Sequence, residues 1–377
     1  MSHPYDICIA TGIFPPDTGG PAKFAESFIE WGKKHRKNIA VVSLTNASDS
    51  QTGDGSSLIK LISRNRSFLS RFTLSVLEIR KMMKLGVPVL ANGMFLESLV
   101  AYISCFFRGN YSCKVPGDIV WERARNSGAT NLNINQYQES QMSFRYRVFR
   151  MIFSLSLKKA NFVIVPSTHL KALALSWGVN DTRLRLIYNS VDQDLYSKSS
   201  KVSSKYDVVT VCRLVSWKGV DEVIKVCSKL GLSLLVVGDG PERSKLESLA
   251  ASLEAKVVFL GEKSPREIPE IIHLASAFVL NSSFEATSYA LLEARSAGLF
   301  SIARANTGSE EVIHSGFDGI LCGDGESQLE DALRLFRDDK EFVLHAIARA
   351  KADSLNRFNQ DTNFMRIFNL VSSDGNS

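Results

Sequence analysis

Residues 277–303 read AFVLNSSFEATSYALLEARSAGLFSIA, and this stretch decides the fold. It begins with the apolar run Ala277–Leu280, passes through a polar loop into a predicted helix, and ends in a second apolar run, Phe300–Ala303. Short, nearly continuous apolar runs are typical of parallel strands that are covered on both faces. A strand, a helix and a second strand in this order predict an α/β fold.

The same alternation extends over most of the chain. Further buried strands are predicted at Asp6–Ala10, Ile39–Leu44, Val87–Ala91, Phe162–Val165, Asp207–Cys212, Leu232–Val237 and Val257–Leu260. Amphipathic stretches such as Ala22–Arg36 and Val220–Leu230 lie between them, whereas Asn46–Gly55 is polar and is interpreted as a loop. The pattern therefore predicts parallel sheets throughout.

The length and one polar segment predict the domain organisation. A chain of 377 residues is long enough for about two domains of ~150 residues each. Asp192–Lys205 is rich in Ser and Lys and has no clear period, which is typical of a linker. We expect an N-terminal domain over 1–190, a linker over 191–205, a C-terminal domain over 206–340, and terminal helices over 341–377 that pack back towards the N-terminal domain.

The composition and the apolar pattern predict a globular protein without a secretory signal or a membrane span. Apolar residues make up 45% and charged residues 22% of the chain, as in ordinary globular proteins. Met1–Thr11 lacks the pattern of a secretory signal. The most apolar stretches, Leu96–Phe107 and Val148–Leu157, are shorter than the ~20 residues of a membrane span. The six cysteines are scattered, which fits a reducing compartment, so we expect a cytoplasmic protein.

The net charge of +6 conceals an asymmetry between the two halves. Residues 1–190 contain 24 Lys and Arg against 12 Asp and Glu, a balance of +12, so the remainder carries −6. A basic half indicates that it meets something anionic. Membrane surface, lipid phosphate and nucleic acid all qualify on charge alone, and general solubility is the alternative.

A pair of acidic residues stands out in the opening stretch. Glu285 follows a buried strand, at the edge where open α/β sheets bind ligands, and Glu293 lies further along the helix that follows. Backbone amides of Ala286, Thr287 and Ser288 near the helix start can face an anion. A carboxylate can accept two sugar hydroxyls, which suits a sugar nucleotide. The alternative is an acidic residue near a helix N-terminus and a solvated one.

Two other loops also follow predicted strands. After the first strand of the C-terminal half, Arg213 and Lys218 bracket a short loop, an arrangement that can hold a diphosphate or can simply be two surface cations. After the first strand of the N-terminal half, Gly19 and Gly20 allow a close backbone approach to a ligand or form a tight turn.

Together these motifs resemble family 4 of the retaining glycosyltransferases, which have the GT-B fold of two Rossmann-like domains facing across a cleft. The family's two glutamates separated by seven residues are matched by Glu285 and Glu293, its Arg–Lys pair by Arg213 and Lys218, and its glycine loop by Gly19 and Gly20. Looser matches in the same order are Val237–Pro241, Ala160–Ser167 and Leu186–Asp192. The resemblance covers nearly the whole chain.

The resemblance implies a role for each residue. Glu285 would bind the donor sugar hydroxyls and Glu293 the ribose, while Arg213 and Lys218 would hold the diphosphate and stabilise its leaving charge. Gly19 and Gly20 would approach the donor phosphates from the opposite domain, and the backbone around Glu262 and Lys263 would lie near the base. Many members carry His-Asp or a similar His at the end of the fourth strand of the N-terminal domain. Here Asp118 takes the Asp position, no His accompanies it, and Asp118 is counted with Glu285, Arg213 and Lys218 as a catalytic residue.

These features predict a retaining glycosyltransferase that needs no metal or other cofactor and takes a nucleotide-diphosphate sugar as donor. Asp192 and Asp194 mimic a metal-binding Asp-x-Asp, but they lie in the predicted linker and are rejected as a metal site. The acceptor would be a glycan or a lipid-linked glycan, and no nucleic acid is expected. A sugar-nucleotide epimerase and a non-catalytic sugar-nucleotide-binding protein are the alternatives.

Two basic amphipathic segments of the N-terminal half predict attachment to the inner face of an anionic membrane. The first spans residues 64–84 and carries Arg64, Arg66, Arg71, Arg80, Lys81 and Lys84. The second spans residues 144–159 and carries Arg145, Arg147, Arg150, Lys158 and Lys159. The first is the favoured one, because the second precedes a buried strand that it must cover.

Overall fold

The structure, a computed structural model, describes residues 4–93, 96–106, 111–197, 204–305 and 308–373. The strands are β1 Ile7–Thr11, β2 Ile39–Thr45, β3 Ser50–Gly53, β4 Ser57–Ser63, β5 Val89–Asn92, β6 Ser112–Lys114, β7 Val163–Val165, β8 Leu184–Leu186, β9 Tyr206–Val211, β10 Leu234–Val237, β11 Val257–Gly261, β12 Ala275–Leu280, β13 Phe300–Arg304 and β14 Ile320–Cys322.

The helices are α1 Gly20–Lys34, α2 Phe68–Lys84, α3 Leu96–Ser104, α4 Ile119–Asn126, α5 Ile134–Glu139, α6 Phe144–Lys159, α7 Thr168–Ser176, α8 Gln193–Ser197, α9 Val220–Leu230, α10 Arg243–Ser252, α11 Ile268–Ile272, α12 Tyr289–Ala297, α13 Glu326–Asp338, α14 Lys340–Arg357 and α15 Gln360–Ser372. Every strand predicted from the sequence is present. The loop expected over Asn46–Gly55 is wrong in part, because β3 forms an antiparallel hairpin with β4.

The chain forms two compact units, each built on its own sheet. Unit 1 comprises 1–187 and 361–377, and unit 2 comprises 188–360. The sheet of unit 1 has the order β3-β4-β2-β1-β5-β6-β7-β8 and is parallel except for β3. The sheet of unit 2 has the order β11-β10-β9-β12-β13-β14 and is parallel throughout. The predicted α/β class with two parallel-sheet domains is confirmed.

Both sheets are doubly wound, so each has helices on both faces. In unit 2, Leu234 and Val236 of β10 join the core beneath α9 and α13, whereas Leu235 and Val237 join the core beneath α11 and α12. In unit 1, α1 and α15 cover one face together. Phe364 of α15 lies with its ring centroid 5.5 Å from that of Phe24 on α1.

The boundaries between the units differ from the predicted ones. The segment predicted to begin the linker is part of unit 2, because Val191 and Tyr196 are buried in its core. Residues 198–203 of that linker lie outside the described residues. Of the terminal helices, α15 packs on unit 1, but α14 packs on unit 2 through Val343 and Ala346. Val191 adjoins the polar stretch 192–205 and Tyr196 lies within it, so the polar composition of the stretch gave no sign of their burial.

Candidate functional site

The strand order of unit 2 brings two predicted loops together. The order reverses between β9 and β12, which are neighbours in the sheet, and ligands of open α/β sheets bind at the carboxyl edge where such a reversal occurs. Lys218 lies in the loop after β9 and Glu285 in the loop after β12. The Lys218 ammonium forms an ion pair with the Glu285 carboxylate, and the two side chains are only 17% and 13% exposed.

Backbone geometry holds Lys218 in place. Lys218 ends a short 3₁₀ turn, and the next residue, Gly219, has a φ of +59° and precedes α9. A Cβ atom added to Gly219 would lie 2.6 Å from Nδ2 of Asn281 at the end of β12, so the position requires glycine. The Asn281 amide in turn donates to the Gly219 carbonyl oxygen at 3.0 Å. The two loops are therefore fixed to each other.

A partly buried ion pair between Arg304 and Glu222 adjoins this contact. Arg304 at the end of β13 donates from Nη2 to the Glu222 carboxylate at 2.6 Å and from Nε to the Asn281 side chain at 3.2 Å. Asn281 also donates to Glu222 at 2.7 Å. The sequence analysis missed this network, because Glu222, Asn281 and Arg304 are single polar residues far apart in sequence, and only the strand order brings them together.

Arg213 stands on the same edge with its charge available. Its side chain is exposed, and its guanidinium forms no hydrogen bond or ion pair with the described residues. Neighbouring Cys212 is no nucleophile, because burial raises the pKa of its thiol to about 11 and keeps it protonated at neutral pH. The edge thus offers one exposed guanidinium and one paired ammonium to an anion.

The loop between Glu285 and α12 is packed tightly. Ser288 caps α12 by accepting a hydrogen bond from the Leu291 amide at 3.4 Å, so Ala286 and Thr287 precede the helix and do not open it. The Thr287 carbonyl oxygen accepts from the Asn189 side chain at 2.9 Å. The Gly308 amide donates to the Glu285 carbonyl oxygen at 2.7 Å.

The other predicted donor residues of unit 2 differ in exposure. Glu293 lies on α12 with only 3% of its surface exposed, so little of it can be reached from outside. Glu262 is exposed just after β11, and Lys263 forms an ion pair with Glu267 at 3.5 Å. Because β11, β10, β9 and β12 are successive parallel strands, Glu262 and Lys263 lie on the same edge as Lys218.

Unit 1 has its own strand-order reversal, between β1 and β5. The loop after β1 carries Gly19, which has a φ of +141°, and Gly20, which begins α1. Arg64 fixes this loop, since its guanidinium donates to the Asp17 carboxylate at 2.8 Å and to the Gly12 carbonyl oxygen at 2.6 Å. Arg66 likewise pairs with Asp49. Two of the cations predicted to meet a membrane, Arg64 and Arg66, therefore form ion pairs within unit 1.

A row of buried polar side chains lies at the same edge of unit 1. Thr11, Asn92 and Lys114 are register partners on β1, β5 and β6, and each is at most 3% exposed. Burial lowers the pKa of the Lys114 ammonium to about 7. The sequence analysis missed Lys114, because β6 is only three residues long and shows no period.

The structure corrects the catalytic role expected for Asp118. Its carboxylate is fully buried and caps α4 by accepting from the amides of Val120 and Trp121 at 2.9 and 3.2 Å. The second oxygen accepts from Gln138 at 2.9 Å and from Arg150 at 2.6 Å. The four hydrogen bonds use both carboxylate oxygens, so Asp118 acts here as a helix cap and as the ion-pair partner of Arg150, and its carboxylate is not exposed to a substrate.

Comparisons with known proteins agree with this arrangement. Residues 192–353 match the family model described as glycosyl transferases group 1. An uncharacterized glycosyltransferase of Methanocaldococcus jannaschii is 28% identical over 53% of this chain and 55% of its own length. N-acetyl-alpha-D-glucosaminyl L-malate synthase of Bacillus anthracis is 28% identical over 42% and 45%. The chain spans about half the length of these relatives, and the resemblance to glycosyltransferases is confirmed.

Solved structures share the fold over nearly the whole chain. Anabaena Alr3699/HepE, solved with UDP and glucose, has a TM-score of 0.77 at 19% identity and covers 97% of this chain and 100% of its own. Sucrose-phosphate synthase of Thermosynechococcus elongatus has a TM-score of 0.79 at 17% identity, with coverage of 97% and 98%. The fold is therefore that of the GT-B glycosyltransferases. Within the described residues, no helix is long and apolar enough to cross a membrane.

Proposed function

We propose that this protein is a retaining, metal-independent glycosyltransferase that moves a sugar from a nucleotide-diphosphate donor to a glycan or lipid-linked acceptor. The observation that carries the proposal is the ion pair of Lys218 and Glu285 at the strand-order reversal of unit 2, beside the exposed Arg213. A cation and a carboxylate held side by side suit a ligand that has a diphosphate next to a sugar. The group 1 match over 192–353 spans all three residues.

In this function each charged residue binds a different part of the donor. Arg213 and Lys218 hold the diphosphate and stabilise the negative charge that develops when the sugar leaves, without transferring a proton. Glu285 accepts hydrogen bonds from sugar hydroxyls, and its ion pair with Lys218 holds the two side chains next to each other. Glu293 is assigned to the ribose on the resemblance to family 4.

Backbone groups and edge residues complete the proposed donor site. The amides of Ala286, Thr287 and Ser288 lie between the Glu285 carboxylate and the start of α12, where an anion is favoured. Glu262 and Lys263 are assigned to the base. In unit 1, Gly19 and Gly20 are assigned to the phosphates, since the absence of a Cβ atom lets a ligand approach the backbone at the start of α1.

The independence from metal ions rests on the same cations. Arg213 and Lys218 supply the positive charge that a divalent ion supplies elsewhere. In the described part of the chain, one cluster has metal-ligand spacing, formed by His314, Asp318 and Asp353. Arg295 already donates to the buried Asp318 at 2.9 Å, so this cluster is a neutralised ion-pair network. The retention of stereochemistry rests on the resemblance to family 4.

Attachment to an anionic membrane surface is part of the proposal, with the protein in the cytoplasm. The structure leaves both predicted segments as candidates. Arg64 and Arg66, which precede α2, pair with Asp17 and Asp49, and Arg150 of α6 pairs with Asp118. In each segment the other four predicted cations form no ion pair with a described residue. Sedimentation with anionic and neutral vesicles at low and high salt tests this, and a protein that stays in the supernatant with anionic vesicles at low salt contradicts it.

Incubation with a panel of nucleotide sugars tests the catalytic function. Slow release of free nucleotide, accelerated by an acceptor, is the expected result. Sugar isomers without nucleotide release would indicate an epimerase instead. Binding with neither product, in the presence of a plausible acceptor, would indicate a non-catalytic binding protein. The axial or equatorial configuration of the product bond, measured by NMR coupling constants, tests retention.

A further inference from the structure

The carboxylate of Glu97 lies in the crevice between β1 and β5, at the strand-order reversal of unit 1. Glu97 belongs to the first turn of α3 and is half-buried. A Cβ atom added to Gly12, which follows β1, would overlap Oε1 of Glu97. One added to Gly93, which follows β5, would lie 2.6 Å from Cδ of the same side chain. The carboxylate therefore contacts the ends of both strands.

The two glycines make room for this carboxylate. Neither has a positive φ, so the backbone conformation would allow another residue at either position. The feature that matters is the missing side chain, because any Cβ atom would meet Glu97. Arg64 also holds the Gly12 backbone in place by donating to its carbonyl oxygen at 2.6 Å. The sheet edge thus sets the position of the carboxylate.

Asn92, at the end of β5, provides a second hydrogen-bond acceptor at this edge. It is fully buried and is the register partner of Thr11 on β1. Its amide nitrogen donates to the Pro21 carbonyl oxygen at 2.9 Å, which fixes the orientation of the amide because a carbonyl can only accept. The side-chain oxygen of Asn92 accepts no hydrogen bond from the described residues. A carboxylate and an unsatisfied amide oxygen both favour a ligand that carries hydrogen-bond donors.

The charges around the crevice disfavour an anionic ligand against Glu97. Arg64 is already paired with Asp17 at 2.8 Å. Burial lowers the pKa of the Lys114 ammonium, at the end of β6, to about 7, and it lowers the pKa of Lys23, near the start of α1, to about 7 as well. Each amine is therefore about half neutral at pH 7 and offsets the carboxylate only in part. A second anionic group placed against this carboxylate is repelled, whereas a hydroxyl group can donate to it.

We propose that Glu97 binds hydroxyl groups of the acceptor, so that the acceptor presents an uncharged sugar to unit 1. A carboxylate can accept hydrogen bonds from two hydroxyls at once, and neighbouring hydroxyls of a sugar ring offer such a pair. The donor-binding charges Lys218 and Glu285 belong to unit 2, so the strand-order reversal of unit 1 is the crevice left for the second substrate. This assignment rests on the proposed function and makes Glu97 a residue that determines acceptor specificity.

Nucleotide release by the full chain, with methyl glycosides as acceptor probes, tests the proposal. The uncharged probes are the methyl glycosides of glucose, galactose, mannose and N-acetylglucosamine. Methyl β-D-glucuronide is the matched anionic probe, because it differs from methyl β-D-glucoside only by a carboxylate in place of CH₂OH. We expect uncharged probes to accelerate release and the glucuronide to have no effect. Glu97→Gln is expected to raise KM for the accelerating glycoside about tenfold, with a much smaller change in KM for the nucleotide sugar.

Gly12→Ala moves the carboxylate without removing it. The added Cβ atom would meet only the end of the Glu97 side chain, which can move aside while the fold is kept. This variant is expected to raise the same KM, and to add little when it is combined with Glu97→Gln, because both changes act on one contact. Thermal unfolding of each variant confirms that it is folded.

Glu78→Gln is the matched control. Glu78 is a half-buried acid on α2, and its charge acts together with burial, the larger cause, to raise the pKa of the Cys8 thiol on β1. Glu97 stands in the same relation to Cys113 on β6, whose pKa is raised by burial and then by the Glu97 charge. Both acids therefore lie near the sheet of unit 1, but only Glu97 lies in the crevice. Glu78→Gln is expected to change neither KM.

Four results would overturn the proposal. An unchanged KM for the glycoside in folded Glu97→Gln, with or without a fall in Tm, makes Glu97 a structural residue. Acceleration by the glucuronide alone, or by no probe while nucleotide release continues, contradicts the ligand class. An equal rise in KM for the nucleotide sugar places Glu97 at the donor instead, and a full further rise on adding Gly12→Ala to Glu97→Gln separates the two positions. If nucleotide release fails while methyl β-D-glucoside still binds more weakly to Glu97→Gln than to the wild type in calorimetric titration, the proposed function fails alone.

Discussion

Removing the charge of Lys218 gives the sharpest test of the proposed donor site. Lys218→Met keeps the aliphatic stem but takes away the partner of Glu285, and both side chains are largely covered. Loss of one group that stabilises a developing charge is expected to lower kcat by roughly 10²–10³. The carboxylate left without its cation is expected to cost about 2 kcal/mol of unfolding free energy. For a unit of this size that corresponds to a fall in Tm of about 4–8 °C.

The double variant Lys218→Met, Glu285→Gln separates function from structure. With both charges removed, no unpaired charge remains, so most of the lost Tm is expected to return while turnover stays low. Nucleotide release and thermal unfolding measure the two effects on the same samples. Lys225→Met is the control. Lys225 lies on the neighbouring α9, and its ion pair with Glu326 of α13, at 2.8 Å, is exposed. It is expected to change Tm by only about 1–2 °C and turnover not at all.

The reasoning is refuted if the double variant regains turnover together with stability. The pair would then be a structural ion pair that happens to lie at the strand-order reversal. Near-normal kcat in Lys218→Met alone would likewise remove this residue from the donor site, whatever its effect on Tm.

Three further predictions follow from the contacts. Chelator is expected to leave turnover largely unchanged, and a strong dependence on Mg²⁺ or Mn²⁺ in the nucleotide-release assay would revive the pair Asp192 and Asp194. Asp118→Asn is expected to lower Tm, because a helix cap and the partner of Arg150 are weakened, but to leave kcat of the folded protein unchanged; a fall in kcat at constant Tm would restore a catalytic role. Burial lowers the pKa of Lys114 from 10.5 to about 7, so unfolding takes up a proton between these values and stability rises with pH there. Lys114→Met is expected to reduce that rise in unfolding measurements at pH 7 and pH 9, while Lys23, whose pKa burial also lowers to about 7, maintains the rest of it. An unchanged slope in Lys114→Met would contradict the lowered pKa.

The sequence predicts those strands and helices that show a clear hydrophobic pattern. Strands such as β9 and β12 are buried on both faces and appear as continuous apolar runs, so their existence and the loops after them could be predicted. β6, β8 and β14 are only three residues long and carry no such signal. Lys114 was missed as a site residue, because only the resemblance, and no apolar run, places residues 114–118 at the end of a strand.

The sequence motifs do not show whether a given side chain is buried or exposed in the fold. Asp118 was placed in the site because its position in the chain matches an acidic residue of related proteins. Whether a carboxylate faces a substrate or caps a helix depends on its partners, and those of Asp118 include Gln138 and Arg150, which lie 20 and 32 residues away in sequence. The same limit applies to Val191 and Tyr196, whose polar neighbours suggested a linker although both anchor unit 2.

The strand order explains why the candidate site could be located nonetheless. Lys218 and Glu285 are 67 residues apart in sequence. They meet because β10 and β11 are added on one side of β9, after which the chain returns and adds β12 on the other side, so that β9 and β12 are neighbours. Unit 1 is wound in the same way around β1 and β5, yet it places glycines and a buried amine at the equivalent edge. The fold therefore fixes where a ligand can bind in each unit, and the residues at that edge decide the chemistry that the ligand meets: an ion pair and an exposed guanidinium in unit 2, and glycine backbone with a buried amine in unit 1.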